Sequence, residues 1–135
     1  MCRGQVLETD GNIMLCRTDS RGKCIVAARD FKAGEVIFKC PVIVFKNWQG
    51  LEETELKDYY YLYDETRDLC CFVTGMACFL NHSSRPNAAK HFDYEKEMFV
   101  CLAAADIPKY EEILIKYNFV WFNEIPPEPI EFAAA

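Results

Sequence analysis

With 135 residues, 51% of them hydrophobic, the chain has enough material for one domain with a sizeable core. A formal net charge of −6 argues against nucleic acid as a direct partner, because phosphate binding needs clustered Lys and Arg, and it suits a basic protein or peptide better. No apolar run approaches the ~20 residues of a membrane span, so no membrane association is expected.

The first third reads as short strands broken by turns. Asp10-Gly11, between Val6-Leu7 and Ile13-Met14-Leu15, is a hairpin signal. Thr18 to Gly22 forms a second polar turn into Cys24-Ile25-Val26-Ala27-Ala28. Phe31-Lys32-Ala33-Gly34-Glu35 then turns the chain into a β-rich run, Val36 to Phe45, in which Pro41 predicts an edge strand or a bend. Leu51 to Tyr59 is rich in helix formers. Tyr59-Tyr60-Tyr61-Leu62-Tyr63 has too many aromatics to stay in solvent. Thr74 to Leu80 predicts one or two helical turns, and Ala88 to Asp93 with Glu97 to Ala103 predicts a hairpin. After a turn at Asp106 to Tyr110, Ile113 to Tyr117 reads as a short strand. Asn118 to Phe122 is intensely aromatic, and Ile125-Pro126-Pro127-Glu128-Pro129 should be extended.

The eight cysteines point to a compartment. The polar start Met1-Cys2-Arg3-Gly4-Gln5 is no signal peptide, and most thiols sit in apolar runs such as Val100-Cys101-Leu102. Reduced, mostly buried cysteines in an intracellular protein, cytoplasmic or nuclear, are the expectation. There is no Cys-x-x-Cys, and His82 and His91 are the only histidines, so the spacings disfavour a zinc or cysteine-redox protein.

One stretch concentrates the polar chemistry: Phe79-Leu80-Asn81-His82-Ser83-Ser84-Arg85-Pro86-Asn87. Pro86 fixes a dihedral and biases Arg85 away from helix, so this is a stiff turn able to aim amide and backbone groups at a ligand. It matches F-x-N-H-S-x-x-P-N at every fixed position. Ser20-Arg21-Gly22-Lys23-Cys24-Ile25-Val26-Ala27, Asp30 to Ile37, and Ala105 to Tyr117 with its Glu111-Glu112 pair complete an ordered set of four motifs. Together they resemble the SET-domain family of protein lysine methyltransferases, over roughly residues 13 to 122, and look most like the minimal viral and bacterial members.

The resemblance implies a mainly β fold with short helices, made of small curled sheets with a C-terminal pseudoknot. It implies a single domain over 1–135, with 47–68 as a variable insert and 118–132 as an aromatic, Pro-rich tail that lacks a zinc-binding segment. The implied cofactor is S-adenosylmethionine, with no metal. Tyr117 is the implied catalytic residue; Arg21, Lys23, Cys24, Tyr61, Asn81, His82, Trp121 and Phe122 are the implied cofactor and active-site residues. Asn87 is expected to tie the turn together. The implied partner is a Lys-containing protein or peptide, a histone-like basic tail among them, and the surplus aromatics allow a homodimer.

Three departures stand out. Cys24 replaces a second glycine, Tyr110 replaces the glycine before Glu-Glu, and Lys116 replaces a frequent Asp. Cys24 is tolerable only where no positive φ is needed. Cys24, Tyr110 and the missing zinc-binding segment keep open an alternative, a catalytically inactive SET-like module that binds peptides.

Overall fold

A computed structural model of the chain describes residues 2–117 and 128–132. Trp121, Phe122 and the segment Ile125 to Pro127 lie outside the described residues.

The N-terminal segments form an antiparallel sheet of β1 (Cys2–Thr9), β2 (Ile13–Thr18) and β3 (Gly22–Ala27), with β1 largely exposed and the last four residues of β3 buried. Gly11, at φ 94°, makes the first reversal and Gly22, at φ 71°, ends the second; both conformations are open to glycine at little cost. A fourth strand, β11 (Ile130–Phe132), pairs in parallel with β1.

The larger sheet runs in the order β5-β6-β4-β9-β8. Its members are β4 (Val36–Phe45), β5 (Tyr60–Asp64), β6 (Leu69–Val73), β8 (Ala88–Asp93) and β9 (Met98–Ala103). The expectation that Pro41 marks an edge is corrected, because β4 is interior. Its first half pairs with β9, from Val36↔Leu102 to Pro41↔Met98, and its second half with β6, from Val42↔Val73 to Phe45↔Cys70. Pro41 falls where the partner changes, so the missing N–H costs little there. Its carbonyl accepts from both the backbone and the hydroxyl of Thr74, at 3.2 and 2.8 Å.

The helix formers around residues 47–58 give only two 3-10 turns, Trp48–Leu51 and Glu55–Asp58, neither with a buried residue. Glu52, Glu53 and Glu55 crowd one short stretch, and with no apolar stripe to pack there is nothing to extend a helix. Tyr60, Tyr61 and Tyr63 are buried, as their density suggested, while Tyr59 stays exposed. Thr74 to Leu80 holds a 3-10 turn, Gly75–Phe79.

The element that positions the site is the shortest. β10 (Leu114–Ile115) lies parallel to β7 (Asn81–His82), pairing Leu114 with Asn81 and Ile115 with His82. On its other side the same segment is held to β3, through the Val26↔Glu112 bridge and the Ile113 N–H donating to Ile25 O at 2.8 Å. The closing segment is thus gripped between the first sheet and the polar loop. Ile25, Ile37, Phe31, Phe99, Ile107, Ile113 and Ile115 form the sealed core beneath it. Each such side chain contributes about 1.5–3 kcal/mol through burial. Six of the eight cysteines are buried and all are free thiols.

Candidate active site

Gly22 lets the turn after Thr18 curl back, and Thr18 Oγ1 stabilises it by accepting from Arg21 N at 3.1 Å and donating to Gly22 O at 3.3 Å. That turn, the 3-10 turn before β7, and the end of the closing segment surround a cavity of about 520 Å³. Arg21, Lys23, Asn81, His82 and Tyr117 all line it, so five of the residues singled out from sequence meet at one place. Asp58 and Tyr59 line it as well, from the variable insert.

Polar groups in and below this cavity form one network. Glu112, nearly sealed at 6% side-chain exposure, receives Arg21 Nε at 3.3 Å through one carboxylate oxygen and Asn81 Nδ2 at 2.9 Å through the other. Burial holds the Glu112 carboxyl above its usual range, with the Asn81 hydrogen bond and the Arg21 charge opposing that shift. Asn81 Nδ2 also donates to Lys23 O at 3.2 Å. The amide's donor end is therefore committed, and Oδ1 is the acceptor this side chain offers to the cavity. Arg21 is no solvated turn residue: its side chain is 7% exposed.

His82 lines the cavity and pins it. Its Nδ1 accepts from Tyr117 N at 2.9 Å, which fixes the ring against the end of the closing segment. Tyr117 donates its hydroxyl to Leu80 O, and burial pushes the phenol well above the ordinary tyrosine range. Asn87, expected to tie the turn, donates to Glu112 O and accepts from Leu114 N, both at 2.8 Å. Lys23 lays its ammonium 4.9 Å from the centre of the Phe79 ring.

Two other residues singled out from sequence lie away from the cavity lining. Cys24 is fully buried among Met14, Cys16 and Val26, its thiol pushed far up by burial, so its side chain cannot touch a ligand in the cavity. It sits in ordinary strand pairing with Cys16, and only Gly22 in this turn needs positive φ. Tyr61 is buried behind Tyr117, edge-on to it at 5.9 Å and 87°, and also against Phe99. It belongs to the wall behind the catalytic candidate. Trp121 and Phe122 lie outside the described residues.

Glu112 was missed by sequence reading. The available signal was a carboxylate directly before the apolar run Ile113-Leu114-Ile115, which a buried segment tolerates only with a partner.

Tyr117 also lines a second cavity, of about 490 Å³, with Pro86, Ala88, Ala89, Lys90, Ala104 and Lys116. One tyrosine therefore faces two spaces: one carries Asn81 and His82, the other is walled by small residues and two lysines.

A family model for the SET domain matches residues 22–118. Among solved structures, a Plasmodium falciparum protein named as a candidate histone methyltransferase superposes with a TM-score of 0.62 and 27% identity, over 84% of this chain and 98% of that one. A humanized mutant of the Chaetomium thermophilum Polycomb Repressive Complex 2, bound to an inhibitor, gives 0.65 and 17%, over 82% of this chain and 15% of that chain. An active polycomb repressive complex 2 in the basal state gives 0.63 and 19%, over 81% and 15%. The last two share the fold alone. No curated protein sequence matches. The family match runs across most of the chain, through Lys23, Asn81, His82 and Tyr117 at the cavity, with Arg21 one residue before its start, and the chain belongs to the SET-domain family.

Proposed function

We propose that this chain is a protein-lysine N-methyltransferase that takes S-adenosylmethionine in the cavity over Asn81 and His82 and a lysine side chain from the far side of Tyr117. The observation that carries this reading is the position of Tyr117 between two cavities. Membership of the family and the likeness to a Plasmodium falciparum protein named as a candidate histone methyltransferase support a protein acceptor.

The residues present suit the cofactor. A space of about 520 Å³ falls within the range of small-molecule sites. Asn81, its donor end tied to Glu112, offers Oδ1 to an ammonium, and the Arg21 guanidinium carries further N–H groups suited to a carboxylate. Adjacent acceptor and cation match the zwitterionic end of an amino-acid cofactor. Lys23 and His82 line the same cavity. When bound, the cofactor supplies a sulfonium methyl group that is already electrophilic.

What remains for the protein is orientation and desolvation. Tyr117, its phenol held neutral by burial, cannot serve as a general base at pH 7; it orients by hydrogen bonding. The acceptor amine must be neutral to react, against a free pKa of about 10.4. The packed rings of Tyr61, Phe99 and Tyr117 form an apolar flank that disfavours the charged form.

The alternative, a peptide-binding module without catalysis, drew on Cys24, Tyr110 and the missing zinc-binding segment after Tyr117. Cys24 takes an ordinary strand position and Tyr110 keeps the left-handed backbone, φ 76°, that a glycine would take, so neither departure favours it.

Calorimetry with S-adenosylhomocysteine followed by transfer of labelled methyl to Lys-rich proteins and peptides tests the proposal. Wild type and Tyr117→Phe should bind the product alike, while Asn81→Ala binds about tenfold more weakly. Tyr117→Phe should transfer about 10²-fold less label. Equally little transfer by wild type and Tyr117→Phe, or no product binding at all, ends the enzymatic reading, and equal, substantial transfer by both removes the role given to Tyr117.

A further inference from the structure

The two cavities beside Tyr117 both carry two cations, but Asp58 lines the first, whereas no acid stands among the described residues that line the second. The chain carries a formal −6, yet the described lining of this cavity contains Lys90 and Lys116 and no carboxylate. Lys116 stands exposed immediately before Tyr117, while Lys90 is half-buried on β8 with its Nζ 5.2 Å from the centre of the Tyr61 ring. Both cations therefore flank the approach to the tyrosine pair. Beyond Lys90 a neighbouring cavity does carry acids, Asp64 and Glu65. Asp64 is already committed, to Arg67 Nε at 2.7 Å and to the Thr66 hydroxyl at 2.7 Å. The other described residues that line the second cavity, three alanines, a proline and Tyr117, carry no charge at pH 7.

We infer that this enzyme selects lysines flanked by acidic residues: an Asp or Glu within two positions of the acceptor lysine pairs with Lys90 or Lys116. The inference rests on the reading above of which side of Tyr117 receives the acceptor. An extended peptide advances about 3.3 Å per residue, so side chains one or two positions from a lysine seated at Tyr117 fall beside the cavity walls. Basic flanks, as in a histone-like tail, meet like charge there and lose affinity. The two cations have a second effect, since a like charge near an incoming ammonium favours its neutral, reactive form.

The test uses three synthetic peptides that share one central lysine and differ only in flanks of Glu, Gln or Arg. Binding is read by fluorescence anisotropy in low salt and again near 0.5 M salt, beside methyl transfer to the same peptides. The Glu-flanked peptide should bind about fivefold to tenfold more tightly than the Arg-flanked one, with the ratio collapsing in high salt. Lys116→Glu alone, at an exposed position, should narrow the ratio, and Lys90→Glu with Lys116→Glu should invert it. Thermal melts establish that each variant is folded, and Lys90→Gln replaces Lys90→Glu if the buried acid unfolds the chain. Equal or better binding of the Arg-flanked peptide, or a ratio unmoved by the Lys116 variant, overturns the inference. Methyl transfer to all three peptides with no flank preference overturns it while leaving the methyltransferase reading intact; a flank preference without transfer does the reverse.

Discussion

Tyr110 shows how a single residue carries a family's backbone rule without its usual side chain. Its φ of 76° lies in the left-handed region, where a non-glycine residue costs about 1–2 kcal/mol. The ring offsets this by packing 5.8 Å from Phe132 and beneath the Lys109 ammonium at 4.9 Å. Cys24 is the reverse case, a residue in a motif's glycine position that needs no special conformation. Lys90 has the clearest titration among the basic groups, moved from an ordinary 10.5 to about 8 by burial, with Cys71 acting weakly the other way. Between those values the unfolded chain binds the proton that the folded one has released, so stability contributed at this site rises with pH from about 8 to 10.5. Below pH 8 the desolvation cost is fully present. Lys90→Met should therefore be more stable than wild type at pH 7, by on the order of 1–2 kcal/mol after screening at this partly solvated site, with the gap closing by pH 10.5. Parallel urea titrations at several pH values check this, and a gap that stays constant with pH refutes it.

Among the elements, β10 illustrates why the site's assembly escapes sequence reading. Two residues long, it has no periodicity to detect, and its partner β7 lies more than thirty residues earlier. Side chains hold it instead. Asn87→Ala removes both hydrogen bonds that tie the loop to Glu112 O and Leu114 N, and should cost about 2–3 kcal/mol in denaturant unfolding. Because Glu112 in turn orients Asn81, the same variant should weaken S-adenosylhomocysteine binding, although Asn87 is absent from the cavity lining. Unchanged stability would mean that the clamp forms without Asn87. Other elements were plain in the sequence. The Asp10-Gly11 hairpin and the hairpin around Tyr94 follow from turn chemistry acting over a few residues. β6 was not: no strand is predicted there from sequence, and it exists through pairing with β4 and β5.

Across the whole molecule, the described C-terminal strand returns to the N-terminal one: β11 pairs with β1, and Cys2 N donates to Pro129 O at 3.1 Å. Gly4 makes this approach possible, since a Cβ there would lie 2.6 Å from Ile130 Cγ2. In an unencumbered strand Gly→Ala gains roughly 0.5–1 kcal/mol. Here Gly4→Ala should instead cost about 1–2 kcal/mol, a fall of roughly 3–7 °C in Tm, with faster amide exchange across residues 2–4. A stabilised variant would show that β11 does not dock on β1 in solution. The sequence by itself determined the mainly β class, the short turns, and the motif residues that come together at the first cavity, because each depends on local dihedral preference or on a short ordered motif. Tertiary structure alone decided that Arg21, Asn81 and Glu112 form one network, that Cys24 turns inward, and that Tyr117 faces two cavities. Those facts depend on which distant segments lie side by side, and that is set by core packing and β pairing across the chain.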